Sequence, residues 1–194
     1  LDFLKSEFEG DGTESNPFLI KSEADFVKFR NYAYNSKSDF LNIYFKQTND
    51  ITFTNNLSIS ETPSFAGIYD GAGYTLKNIN MESTTGNSRV SLFYELIGTI
   101  KNLGIQDSTF IGWSISGIAD KMSGNSVIEN CFVQATLSSS NTDSSYAAGF
   151  VSSINGNAKI LNSYFYGVQN AVTNFGIGAY RADSTPTFIN VFSN

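Results

Sequence analysis

Two pairs of neighbouring charges are the residues in this chain best suited to chemistry. Asp120 and Lys121 stand together in one segment, Arg181 and Asp183 in a later one. A carboxylate beside a basic side chain on a repetitive β scaffold is the equipment of polysaccharide lyases and hydrolases. These use paired carboxylates, or an acidic Ca²⁺ cluster with a Lys or Arg base. If equivalent positions stack, Lys121 and Arg181 lie roughly 10 Å apart, two strand spacings. Glu129 is the further acid that such a site would recruit. The competing reading is a set of solvated surface charges, and it is favoured. The chain has no histidine, no acid cluster with ligand spacing, and no HExxH, Gly-x-Ser-x-Gly or phosphate-loop signature. No catalytic residue, metal site or cofactor is assigned.

Other residues suit binding. Trp113, Tyr146, Tyr164, Tyr166 and Tyr180 recur at or near strand positions in successive segments. Exposed rings of this kind offer flat surfaces to sugars, and Lys121 and Arg181 would add polar contacts. Aromatics are also favoured on strands for packing alone. Asp11 and Asp70 lie in Gly-flanked turns, where an Asp bonding its own backbone is favoured over Ca²⁺ ligation. Cys131 falls on an inward position and reads as a buried thiol, with no histidine to activate it.

The elements that carry these residues follow from a repeat. Asn78, Asn102, Asn130, Asn162 and Asn190 sit in similar segments, spaced 24, 28, 32 and 28 residues apart. Such a period marks a stacked-repeat architecture. Two residues before each Asn stand Leu76, Ile100, Ile128, Ile160 and Phe188; three after stand Met81, Ile105, Val133, Phe165 and Ser193. Strand side chains alternate with period two, so apolar positions at −2, +1 and +3 slip parity across the Asn. The chain must bend there, and Asn tolerates the left-handed backbone such a bend needs. Short strands with no helical pattern between them predict an all-β, parallel β-helix, and the general preference for right-handed parallel crossovers makes right-handed the expected hand. The five asparagines are expected to stack as one hydrogen-bonded ladder. Propellers and sandwiches, the alternatives, use antiparallel hairpins with unbroken alternation.

Residues 1–45 differ, and read as an N-terminal strand and a cap helix ahead of the β-helix repeats of 46–194, one structural domain overall. "SEAD" (Ser22 to Asp25) has capping-box form, and Phe26, Phe29 and Ala33 follow at helical spacing. A helix over Ser22–Tyr34 would cover the open end of the solenoid. No matching cap follows the last segment, so further chain or a partner is expected there.

With 17 Phe and 10 Tyr among 194 residues, a real core is available. The net charge of −6 argues against nucleic-acid partners, and no apolar run is long enough to span a membrane as a helix. The chain begins at Leu1, which reads as a mature or excised chain.

The stretches "GDGTESNPFLI", "ADFVKF", "FAGIYDGAGYTLKN", "SLFYELIGTIKNLGI" and "GIADKMSGNSVIENC" resemble bacterial surface proteins carrying the GLUG motif. Asp70-Gly71-Ala72-Gly73 and "IKNL" are the most specific features. Ser91 stands where that pattern has Gly, and Tyr94 and Ala119 interrupt its small residues. The resemblance implies a right-handed parallel β-helix in secreted or wall-attached proteins. These include adhesin-like proteins and the N-terminal regions of immunoglobulin-A-cleaving metalloproteases. It implies an extracellular, non-enzymatic module of a larger multidomain chain, adhesin or spacer, whose partner is a host or cell-surface glycan or protein. It supplies no catalytic motif.

Overall fold

The computed structural model describes residues 2–35, 40–59, 63–139, 144–180 and 184–194. Two helices, α1 (Asp2–Glu7) and α2 (Glu23–Asn35), flank the first strand, β1 (Phe18–Ile20). The chain then winds in coils. β2 (Tyr44–Gln47) and β3 (Ile51–Thr52) form the first of these. β4 (Ser64–Phe65), β5 (Ile68–Asp70), β6 (Thr75–Lys77) and β7 (Asn80–Glu82) form the next. β8 (Arg89–Val90), β9 (Phe93–Leu96), β10 (Thr99–Lys101) and β11 (Gly104–Gly112) follow. Above them lie β12 (Ser114–Ser116), β13 (Ala119–Met122), β14 (Val127–Glu129) and β15 (Phe132–Ser139). β16 (Tyr146–Ala148), β17 (Val151–Ile154) and β18 (Lys159–Asn170) make the penultimate coil, and β19 (Thr173–Asn174), β20 (Gly178–Tyr180) and β21 (Thr187–Ser193) the last.

Every strand pairing among the described residues is parallel. The fold is a parallel β-solenoid. One face is β4-β9-β13-β17-β20 and a second is β8-β12-β16-β19. The largest sheet bends into two limbs, β1-β2-β5-β10-β14-β18 and β3-β6-β11-β15-β18, with β21 on β18. Identical registers stack Phe18, Phe45, Tyr69, Ile100, Ile128 and Ile160 in one column. All six are at most 1% exposed, and burying each side chain contributes about 1.5–3 kcal/mol.

The bends behave as the parity slip requires. All five asparagines have positive φ, between 48° and 59°. The expected single ladder does not form. Asn130 Nδ2 donates to Asn102 Oδ1 (3.1 Å), and Asn102 Nδ2 donates to Asp70 Oδ1 (2.9 Å). Asn190 Nδ2 donates to Asn162 Oδ1 (2.9 Å), but no side-chain bond joins Asn130 to Asn162. Asn78 belongs elsewhere. Lys77 is in register with Gln106, so Asn78 lies beside Asp107, and its Nδ2 donates to Phe53 O (2.8 Å). The reason is coil length. Lys101 pairs with Asp70 while Gly104 pairs with Thr75, so the earlier coil holds two more residues between these points. They form the Gly71–Gly73 turn, with Ala72 left-handed at φ 53°. A shift of the same kind corrects the glycine column. Ser91 aligns with Ser116 rather than Gly117, because Val90 pairs with Ile115 and Phe93 with Ala119.

At the N-terminal end, Ser22 Oγ accepts from Asp25 N (3.1 Å), and Asp25 Oδ2 accepts from Lys21 N (3.1 Å). This caps α2, whose Phe26, Phe29 and Ala33 enter the core. The Phe29 ring lies 4.7 Å from that of Phe45 and 5.2 Å from that of Phe65. Arg30 is only 2% exposed; its Nε donates to Leu92 O (3.0 Å) and its Nη1 to Ser58 O (3.2 Å). Sequence periodicity gives no sign of α1, which is six residues long and buries only Leu4.

Candidate functional site

Alternation on the limb β11-β15-β18-β21 sends one set of side chains inward and the other to solvent. Val133, Ala135 and Leu137 are buried, leaving Phe132, Gln134 and Thr136 facing out. Register then builds two neighbouring outward columns. Gly104, Phe132, Tyr164 and Phe192 form one. The Phe132 ring covers Gly104 so closely that a Cβ there would lie 2.5 Å from it. Phe132 stacks on Tyr164 with centroids 5.5 Å apart and planes 11° apart. Tyr164 remains 49% exposed and Phe192 68%.

The second column is Gln106, Gln134 and Tyr166. Here β11 carries an extra residue, Asp107, because the register shifts between Ile105 and Ser108. Asp107 takes a left-handed φ of 51°, and its N–H donates to Gln134 Oε1 (2.7 Å). Bulges of this kind re-aim side chains. Tyr166, 60% exposed, stands between two shallow depressions. Gln106, Phe132 and Tyr164 line one; Thr109, Thr136, Val168 and Asn194 help line the other; Asp107, Gln134 and Tyr166 line both.

Of the aromatic residues expected to bind, Tyr164 and Tyr166 share this face. Trp113 and Tyr146 meet at a different corner, between β11 and β12, with ring centroids 5.3 Å apart and edge-on. Phe175 stacks on Tyr146 at 6.1 Å, and Trp113 Nε1 donates to Ser144 Oγ (3.2 Å). The Tyr180 backbone is in register with Ile154 on β17, and its side chain lies outside the described ones. Phe132, Gln134, Asp107 and Phe192 escaped the sequence reading. A signal for Phe132, Gln134 and Phe192 was available at +2 and +4 from Asn130, Asn162 and Asn190, where Phe132, Tyr164 and Phe192, then Gln134, Tyr166 and Asn194, stand; spacing alone does not mark Asp107.

The charges are not gathered. Lys121 Nζ lies 3.0 Å from Glu95 Oε1, an ion pair on the β9-β13 face. Asp120 points the other way and is 4% exposed. Its Oδ1 accepts from Ser114 Oγ (2.8 Å) and its Oδ2 from Arg89 Nη1 (3.0 Å). Burial raises its pKa, against the opposing effect of Ser114 and Arg89. The Arg89 guanidinium also lies 5.4 Å from the Tyr94 ring centroid. Glu129 is on β14, a separate face. Arg181 and Asp183 lie outside the described residues.

The turn aspartates are engaged by their own turns. Asp11 Oδ1 accepts from Thr13 N (3.0 Å) and Thr13 Oγ1 (2.7 Å), which lowers its pKa. Asp70 Oδ1 accepts from Ala72 N (2.8 Å) as well as from Asn102. Cys131 is buried, and burial pushes its thiol up to about 12; Sγ donates to Glu129 O (3.2 Å). Among the described residues no group of three or more His, Cys, Asp or Glu could hold a metal. Among the described residues no helix is long and apolar enough to cross a membrane. The arrangement can recognise a ligand through rings and amides. The depression beside α2, lined by Glu23, Lys28 and Arg30, does pair an acid with bases, but Glu23 is held by Thr54 and Asn55, and Arg30 by Leu92 O.

No family model matches the chain, and no curated protein matches it. Among solved structures, it is similar to a Bacteroides ovatus protein described as a "putative immunoglobulin A1 protease". That similarity has a TM-score of 0.61 at 18% identity, over 95% of this chain and 68% of the other. At that identity it speaks for the solenoid fold alone.

Proposed function

We propose that this chain is a non-enzymatic module of an extracellular bacterial surface protein, adhesin-like, that binds a glycan or protein through the outward limb of β11, β15 and β18. The observation that carries this reading is the Tyr166 ring, exposed beside the Phe132–Tyr164 stack on a flat sheet face. Monomeric proteins seldom leave clustered aromatics in solvent without a binding role. The resemblance to GLUG-motif surface proteins supports display outside the cell as part of a longer chain. The solenoid supplies the stiffness that such display needs, since each coil is locked to its neighbours by strand pairing.

A carbohydrate-active enzyme would need Asp120 and Lys121 to converge on a groove. Each already has a different partner, Arg89 and Glu95, on different sides of β13. The test is a screen of the purified chain against a glycan array and immobilised host extracellular proteins, with Tyr166→Ala alongside. Specific binding lost in the variant supports the module. Binding unchanged by Tyr166→Ala but lost on Trp113→Ala would move the site to the corner cluster. Hydrolysis or elimination of a polysaccharide, abolished on Asp120→Asn, would replace the reading with the enzymatic one.

A further inference from the structure

We infer that the saddle around Tyr166 takes neutral oligosaccharides, with Asp107 and Gln134 bonding the sugar hydroxyls and Tyr166 carrying the apolar face of a ring. This deepens the binding-module reading and rests on it.

Ring availability comes first. Phe132 and Tyr164 turn faces toward each other. Tyr166 has no ring partner among the described residues and is the more exposed tyrosine, at 60%. Its neighbour in the column is Gln134, not another aromatic. It and Phe192, 68% exposed, are the rings on this face open to sugar C–H groups, and of the two Tyr166 lines both depressions.

Polar partners come next. A sugar hydroxyl both donates and accepts, so a site for sugars needs both kinds of group. Asp107 is exposed and its carboxylate only accepts. Gln134 has its Oε1 held by the Asp107 N–H, which fixes the amide and leaves its Nε2 group to donate. The Thr109 and Thr136 hydroxyls line the depression on the far side of Tyr166. The bulge at Asp107 places the carboxylate and the amide together against the same ring.

Charge selects the class of sugar. Among the described residues, no Lys or Arg lines either depression. Lys77 is in register with Gln106, and its ammonium is held 2.6 Å from Asp50 Oδ2. Asp107 is the one carboxylate side chain among the described residues of the saddle, so sialylated, sulfated or uronic glycans meet repulsion there with no compensating cation among those residues. An extended peptide is also disfavoured. This face lies within the sheet, where strand pairing occupies the backbone groups that strand addition needs.

The experiment uses the whole 194-residue chain, with titration calorimetry and saturation-transfer NMR. The neutral probes are cellotriose, maltotriose and N-acetyllactosamine; α2,3-sialyl-N-acetyllactosamine is the matched anion. At least one neutral probe is expected to bind, and the sialylated probe about tenfold more weakly than its neutral parent, a difference of about 1.4 kcal/mol. Tyr166→Ala should weaken neutral binding by a similar factor. Asp107→Asn keeps the left-handed backbone that Asn tolerates. It should weaken the neutral probe and narrow the gap to the sialylated one, a change that a merely structural role would not produce. Equal or tighter binding of the sialylated probe overturns the inference, as does neutral binding indifferent to Tyr166→Ala, or no binding by any neutral probe. A protein ligand whose binding alone is lost in Tyr166→Ala would sink the glycan assignment while leaving the binding module standing.

Discussion

Asn130 donates its Nδ2 to Asn102 Oδ1, 3.1 Å away on the coil below, and both residues are left-handed, with φ of 53° and 54°. One residue type thus meets two demands, a bend in the backbone and a bond between coils. The two demands can be separated. Asn130→Ala loses both, the left-handed strain alone costing about 1–2 kcal/mol, and should be destabilising in urea unfolding. Asn130→Gly restores the backbone freedom without the amide, so its loss should be smaller, about 0.5–1.5 kcal/mol for the missing bond. An equal loss for both variants would show that the bend, not the ladder, is unimportant here.

The glycines at the turn between the second and first faces do a different job. Gly117, Gly149 and Gly176 allow coils to touch backbone to backbone. A Cβ on Gly149 would lie 2.5 Å from the Phe165 ring and 2.7 Å from Gly176 O. Gly149→Ala should therefore destabilise by about 1–3 kcal/mol, the range for overpacking a filled core, seen as a lower thermal midpoint. Gly86→Ala, where nothing lies within 4 Å, is the matched control and should change little.

How much of this could be read from the residues depended on whether it lived within one coil or between coils. The bends were legible, because the parity slip around Asn102 or Asn162 is a property of a few adjacent residues. The ladder was not. Whether Asn78 stacks on Asn102 or on Asp107 depends on the two residues that the Gly71–Gly73 turn adds, and spacing between asparagines does not say where in a coil the extra length falls. The same limit applied to the binding face. Tyr164 and Tyr166 stand out by type, whereas Phe132 matters because register lays it over Gly104 and under Tyr164. Asp107 appears only once β11 is aligned on β15 and found to hold one residue too many.

The cap makes a prediction of its own. Arg30 ties α2 to the solenoid by bonding the carbonyls of Leu92 and Ser58 while itself buried. Arg30→Ala removes the donor to the buried Leu92 carbonyl, which costs about 1–3 kcal/mol. Hydrogen exchange should show α2 and the first coils opening more readily, with β14 and β15 less affected. Uniform loss of protection through all coils would mean that the cap and the solenoid unfold as one unit.

Asp120 gives the stability a pH dependence of definite sign. Burial raises its pKa above the ordinary 3.8, although Ser114 and Arg89 pull the other way. Between the ordinary value and the raised one, the folded chain holds a proton that the unfolded chain has lost. The folded state then binds more protons, so the stability contributed by this group falls as pH rises through that window, and it is fully present only below the unfolded pKa. Other carboxylates, such as Asp11 with its lowered pKa, change stability in the opposite direction, so the Asp120 contribution must be isolated by difference. Asp120→Asn retains an acceptor for Ser114 and cannot ionise. Its stability relative to the native chain should therefore improve as pH is raised from below 3.8 through the folded pKa, measured by denaturant unfolding at each pH. A carboxyl NMR titration should place Asp120 above the usual aspartate range. A difference curve that is flat, or that slopes the other way, would show that the bonds from Ser114 and Arg89 outweigh burial at this corner.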